Sequence, residues 1–231
     1  MSRQATLRNL RSRLSWEERL AHYLAVFEQA LVLLGEDKKP PTEERELNRR
    51  LWFKLLIVCR KLDPGGRFGR PVREAENLPD SKSDTTRTHE RKEPDFQWQY
   101  DDLEESDPTD AMRSFAIECK RLGKPVKGRN LNKEYVTEGV VRFRHPGWKY
   151  GDKLSVGAMI GYVQASDHDR IHAEINEALR REEIEALVPS DPRWREGAIS
   201  KLAHSFEREF PVSPFCLTHF WLDLRNRKNV G

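Results

Sequence analysis

Midway along the chain the spacing of apolar residues switches from a helical interval to strict alternation. No other feature limits the fold so strongly. Phe96, Trp98 and Tyr100 alternate with Asp95, Gln97 and Gln99. After an acidic turn from Asp101 to Asp110, Phe115, Ile117 and Cys119 alternate with Ser114, Ala116, Glu118 and Lys120. Side chains at i and i+2 share one face of a strand. Both segments are therefore expected to be adjacent strands, each with one apolar and one polar face.

Helical periods surround them. Ser15-x-x-Glu18 is a capping box opening a helix from about Trp16 to Gly35, whose apolar set Leu20, Tyr23, Leu24, Phe27, Leu31 and Leu34 keeps the 3.6 period, with Gly35 as its C-cap. A second helix is expected from Thr42, as N-cap, to about Leu62, with Leu47, Leu51, Leu55 and Val58 on its buried face. Residues 64–94 hold four apolar side chains in 31 (Phe68, Val72, Ala75 and Leu78), too few to bury much surface, and read as a long polar surface loop. Farther on, Asn130 or Asn132 starts a helix to about Phe143. Val156–Val163 is a strand with close backbone approach at Gly157 and Gly161. Asp167 caps a helix to about Leu187, and Phe215–Leu224 is a last strand after a proline-bounded loop. The order α-α-β-β-α-β-α-β predicts a mixed α/β domain, residues 42–231, behind a helical N-terminal arm, residues 1–36.

Composition narrows the class. Lys+Arg 41 against Asp+Glu 38 leaves +3, too mild to name a nucleic-acid partner by itself. No apolar run reaches the ~20 residues of a membrane span, and the opening, with Arg3, Arg8, Arg11 and Arg13 and no acid, has no signal-type apolar stretch. That basic opening reads as a solvated arm or short packing helix, with a phosphate-contacting tail as the sharper alternative. Cys59, Cys119 and Cys216 are scattered and form no C-x-x-C pair, which argues against a disulfide framework or structural zinc. A soluble cytoplasmic protein is the expectation.

The chemistry is concentrated in Pro94-Asp95 and Glu118-Cys119-Lys120. Glu118 and Lys120 project from one strand face. If the Asp95 strand pairs alongside, its carboxylate joins them. Two carboxylates on rigid strands with the Cys119 carbonyl between them offer an all-oxygen site for Mg²⁺ or Mn²⁺. A lysine beside such an ion can position or deprotonate water and neutralise charge on a pentavalent phosphate.

This pattern resembles the PD-(D/E)xK nuclease superfamily, matched at Pro94-Asp95 and Glu118-x-Lys120, with "FAIECKRLG" as the motif strand. The later segments "KEYVTEGVVRF", "GAMIGYV" and "LTHFWLDL" look like those of bacterial anti-phage defence nucleases, so the resemblance spans about residues 42–224. It implies a restriction-endonuclease-like core: a central mixed β-sheet flanked by helices, here with an N-terminal helical extension. It also implies a divalent-metal-dependent DNA endonuclease, a phosphodiester hydrolase. Asp95, Glu118 and the Cys119 carbonyl would bind metal, and Lys120 would act on water. Glu44 would support metal or water from the preceding helix, where it heads the stripe of Leu47, Leu51 and Leu55; Glu46 is the fallback and Glu43 the weaker one. The separation of 23 positions from Asp95 to Glu118 requires the acidic segment to bulge out as a loop.

For DNA contact, Lys124, Lys127 and Arg129 in the basic loop after the motif strand are candidates, as is Arg142. Tyr135 and Arg142 lie seven apart and could both face the site. Equally, Tyr135 is core and Arg142 pairs with Glu138. His204 and His219 read as structural, and His168 and His172 as members of a charged helix. Without a visible recognition module, targeting is expected from a partner subunit or self-association, with helix 16–35 as a docking surface. The rival is a non-catalytic nucleic-acid-binding or assembly subunit that kept the fold. An RNA-directed nuclease would use the same site.

Overall fold

The structure is a computed structural model that describes residues 14–77, 90–210 and 212–225. The basic opening and residues 78–89 of the long loop lie outside them. Helices α1 (Trp16–Gly35) and α2 (Glu44–Leu62) lead into strands β1 (Val72–Arg73) and β2 (Phe96–Asp101). Then come a short helix α3 (Pro108–Ala111) and the motif strand β3 (Met112–Leu122). A composite helix follows: α4 (Leu131–Tyr135), a π-helical turn (Val136–Val140) and α5 (Val141–Arg144). Strand β4 (Val156–Val163), helix α6 (His168–Arg181) and strands β5 (Val188–Pro189), β6 (Ile199–Phe206) and β7 (Phe215–Asp223) complete the order.

The strands form one mixed sheet ordered β1-β2-β3-β4-β7-β6-β5. β3, β4 and β7 run parallel in the centre, and the outer pairings are antiparallel. Parallel strands require crossover connections and burial on both faces, and helices supply both. On one face α1 and α2 cover Phe96, Trp98, Phe115, Ile117, Ala158 and Ile160. On the other, the composite helix and α6 pack on Ala116, Met159, Leu217 and Trp221. The mixed α/β architecture with flanking helices is thus as expected.

Several boundaries differ, each for a physical reason. The Ser15–Glu18 capping box is present in full, but the cap at the far end of α1 is Glu36, with Gly35 the last helical residue. α1 is no arm: Tyr23, Val26, Phe27, Ala30, Leu31 and Leu34 are buried in the same core as the sheet. Little of the helix is left as a docking surface, and residue 36 does not separate two packing units. α2 begins at Glu44 because the Thr42 carbonyl is occupied by Arg121 Nη1 (3.1 Å) and Gln164 Nε2 (3.0 Å), which holds Thr42 outside the helix.

Within the long loop, Val72–Arg73 adds an edge strand to β2. Phe68 is anchored where its carbonyl accepts from Trp98 Nε1 (2.7 Å). α6 stops at Arg181, short of Leu187. Glu183 takes a left-handed conformation (φ 54°), while Glu183 N and Ile184 N donate to the carbonyls of Arg180 and Leu179, a Schellman closure that buries Ile184. Asn130, not Asn132, caps α4 through Lys133 N (3.0 Å). The close approach expected at two glycines of β4 is present: a Cβ at Gly157 would lie 2.8 Å from Phe143, and one at Gly161 2.5 Å from Leu122 and 2.7 Å from Trp221.

Candidate functional site

β3 brings the motif residues to the point where the sheet meets the start of α2. Its antiparallel register with β2 pairs Ile117 with Phe96 and Ala116 with Gln97. Glu118 and Lys120 accordingly project from the face opposite Phe96 and Trp98. Glu118 is buried (1% exposed). Its Oε1 accepts from Lys120 Nζ at 2.6 Å and from Arg142 Nη1 at 2.5 Å, while its Oε2 is buried without a partner.

Lys120 Nζ also donates to the Cys119 carbonyl (3.0 Å) and lies 3.4 Å from Glu44 Oε1. The second oxygen of Glu44 accepts from Arg121 N (3.1 Å). Glu44 is therefore the helix carboxylate that reaches the strand. Glu46 pairs instead with Arg49 and Arg50, on the exposed side of α2, and Glu43 serves as N-cap without a side-chain cap bond.

Asp95 is the second strand carboxylate of the motif. It lies one residue before β2, and its carboxylate accepts from Asn48 Nδ2 of α2 (2.9 Å) and from Cys119 N (2.7 Å). It forms no ion pair with Lys120 among the described residues, although Glu118 and Lys120 both act on its charge, and Asn48 ties the carboxylate to α2. Asn48 is itself buried and accepts from Tyr162 Oη (2.9 Å). Glu44 and Asn48 stand one helical turn apart, so α2 supplies two polar groups to this region. The sequence reading missed Asn48, although the i,i+4 spacing from Glu44 on the buried stripe marks it.

The electrostatics are those of a crowded buried carboxylate pair. Burial, then repulsion by Glu118, pushes the Asp95 carboxyl well above the usual range, against Lys120 and the Cys119 N–H. Burial also raises Glu118, against the opposing pull of Lys120 and Arg142. For Lys120, burial disfavours the ammonium, yet Glu118, Glu44 and Asp95 outweigh it and raise its pKa. Lys120 is held as a cation, which fits charge neutralisation and water orientation and disfavours a role as base.

Arg142 faces the site, where it pairs with Glu118, a partner the sequence did not suggest, and it also lies 3.7 Å from the expected partner Glu138. Tyr135 is core: its hydroxyl bonds His219 Nδ1 (2.6 Å) and receives Trp221 Nε1 (3.2 Å). His219 and His204 are buried and bonded to each other at 3.0 Å, in keeping with a structural role. His168 is buried at the start of α6, stacked on Trp194, and His172 bonds the Leu187 carbonyl (2.7 Å). In the basic loop Lys124 and Lys127 are exposed, while Arg129 is engaged by Glu134 through two hydrogen bonds. A further missed residue is Tyr150, whose buried hydroxyl lacks a partner and whose pKa is raised by burial and then by Glu118.

Among the described residues no three His, Cys, Asp or Glu side chains are gathered closely enough to hold a metal by themselves. The donor set that converges is Glu118, Glu44 and the Cys119 carbonyl, all oxygen, with the orphaned Glu118 Oε2 as the unused acceptor. Hard divalent cations prefer such donors, so the residues fit Mg²⁺ or Mn²⁺. No helix among the described residues is long and apolar enough to cross a membrane. Comparison with protein-family models, with curated proteins and with solved structures gives no match to this chain.

Proposed function

We propose that this chain is a divalent-metal-dependent DNA endonuclease with a restriction-endonuclease-like core, acting in bacterial defence or restriction together with a partner subunit or a second copy of itself. The observation that carries the reading is the convergence of Glu44, Glu118, Lys120 and the Cys119 carbonyl at one end of β3. Glu118 and Glu44, with the Cys119 carbonyl, would hold the cation, and Asp95 would complete the set by turning from Asn48. Bound there, Mg²⁺ or Mn²⁺ would supply Lewis-acid stabilisation and an activated water for in-line attack on phosphorus. Lys120, kept protonated, would orient the attacking water and offset charge on the pentavalent phosphate. Arg142 presents a guanidinium to a phosphate oxygen.

The neutralisation of Glu118 by Lys120 and Arg142 favours a second reading, a non-catalytic nucleic-acid-binding or assembly subunit in which these residues form a structural ion cluster. Incubating the protein with plasmid DNA in Mg²⁺, in EDTA and as the Glu118→Gln variant separates the two. Metal-dependent nicking lost in Glu118→Gln supports the nuclease. DNA binding without cleavage in any divalent ion supports the subunit.

A further inference from the structure

We propose that Arg142 gates the cation site: Glu118 takes a divalent ion only once a phosphodiester has drawn Arg142 off it, so that DNA and cation bind cooperatively through this one ion pair. The inference rests on the nuclease reading and adds its regulation.

One oxygen of Glu118 already serves two cations, Lys120 at 2.6 Å and Arg142 at 2.5 Å. A divalent ion at the same carboxylate meets repulsion from both. The two are not equally fixed. Lys120 rises from the same strand, and its ammonium is also tied to the Cys119 carbonyl and Glu44. Arg142 reaches across from α5 with much of its hydrogen-bonding capacity unused. Its Nε is buried without a partner, its Nη2 lies 3.7 Å from exposed Glu138, and the neutral hydroxyl of Tyr150 is a further neighbour of the guanidinium. A guanidinium with donors to spare matches two oxygens of one phosphate.

The surroundings give it a place to go. The Arg142 guanidinium lies 4.3 Å from the centre of the Trp148 ring, and Lys92 Nζ lies 4.2 Å from the same ring. A phosphodiester arriving there meets two positive groups around one indole, and Arg142 can turn along the ring while keeping its cation–π contact. Its departure leaves Glu118 with one positive neighbour and a buried, unpaired Oε2, a deficit that a divalent ion fills. Without DNA, Arg142 and Lys120 keep the buried carboxylate compensated, so the fold does not depend on metal. Linkage makes the effect reciprocal: whatever factor DNA adds to cation affinity, the cation adds to DNA affinity.

The test measures Mn²⁺ binding to the full chain by electron paramagnetic resonance of the free ion, with and without a phosphorothioate duplex that resists hydrolysis. Duplex alone and Glu118→Gln serve as blanks. In the wild type the duplex should tighten Mn²⁺ binding at Glu118 at least about five-fold. In Arg142→Gln the factor should fall close to one. Arg142→Lys, which keeps the charge without the fork, should lie between them, and it decides the matter if the glutamine variant does not fold. Equal coupling in wild type and variants, or no coupling in a wild type that binds Mn²⁺ through Glu118, overturns the gate and spares the nuclease reading. Mn²⁺ binding no greater than that of Glu118→Gln overturns both.

Discussion

Arg142 and Glu118 meet at 2.5 Å across 24 positions of sequence, from a helix and a strand that pack face to face. The contact uses one carboxylate oxygen and leaves the other buried and unpaired. Charge and hydrogen-bonding capacity at this point are therefore mismatched in the free protein, and the expected behaviour of the site follows from that mismatch.

Glu118→Gln retains an oxygen for Lys120 and Arg142 and removes the buried charge. Metal-dependent cleavage should drop below detection in a plasmid assay, while the protein stays folded with a lowered thermal midpoint, because Lys120 and Arg142 lose the buried charge that pairs them. Cleavage at the wild-type rate would remove Glu118 from the chemistry.

Lys120 is held as a cation by three carboxylates, so its contribution should be electrostatic. Lys120→Ala should lower kcat about 10²–10³-fold, the scale of losing one preorganised donor to a developing oxyanion, with a smaller change in metal affinity. Lys120→Arg should recover part of that loss. A rate limb that requires deprotonation of this residue, seen in the wild-type pH profile and absent in Lys120→Arg, would contradict the assignment.

Asp95 gives a stability signature. Its carboxyl is raised by burial and by Glu118, so the fold favours the protonated form. That contribution is complete below the unfolded value, about 3.9, and is lost as pH rises through the folded value. In EDTA the urea midpoint should fall as pH is raised from about 4 toward neutrality. Mg²⁺ should offset the fall, and Asp95→Asn should flatten it. A metal-free midpoint that climbs over this window would reverse the inferred sign.

Asn48 donates to Asp95 and accepts from Tyr162. Asn48→Ala leaves both without these bonds in a buried setting, at a cost of about 2–4 kcal/mol, measurable by urea unfolding. A loss under about 0.5 kcal/mol would show that the two groups find other partners.

Lys124 and Lys127 are exposed, whereas Arg129 is committed to Glu134. Alanine at both lysines should weaken DNA binding and flatten its salt dependence, because fewer phosphates are neutralised and fewer counterions are released. Arg129→Ala should do less. Identical salt slopes for the double variant and wild type would take the loop out of the interface.

Much of this arrangement could be read from the sequence because its signals are local. The alternation around Glu118 fixes which side chains share a face, and the Ser15–Glu18 box marks the start of α1. β6 was invisible for the converse reason: of its inward-facing Ser200, Leu202, His204 and Phe206, two are polar, and His204 is accepted inside only because His219 bonds it. The early stop of α6 depends on a glutamate in a left-handed conformation, which carries no compositional mark. Asp95 is the instructive case. Its strand pairs as the alternation requires, but its carboxylate also accepts from a residue 47 positions earlier, and no pattern within the strand encodes that. Tyr150 likewise meets the site only through the packing of a turn.

The π-helical turn at Val136–Val140 bears on how the chain tolerates change. Such a turn holds one residue more than an α-helical turn, and removing a single residue there would close it into regular helix. Because the wider turn holds that residue without added rotation, Arg142 would keep its phase toward Glu118 and Tyr135 its place beside His219, whereas the same deletion in a regular α-helical turn rotates everything beyond it by about 100°. Gly139, where a Cβ would fall 2.6 Å from Met159 and 3.5 Å from Lys120, sits inside that turn. The site is thus set by the phase of a helix as much as by the identity of its residues: a one-residue deletion is absorbed inside the wide turn, but in the α-helical turns beside it would disarm the site with every motif residue still in the sequence.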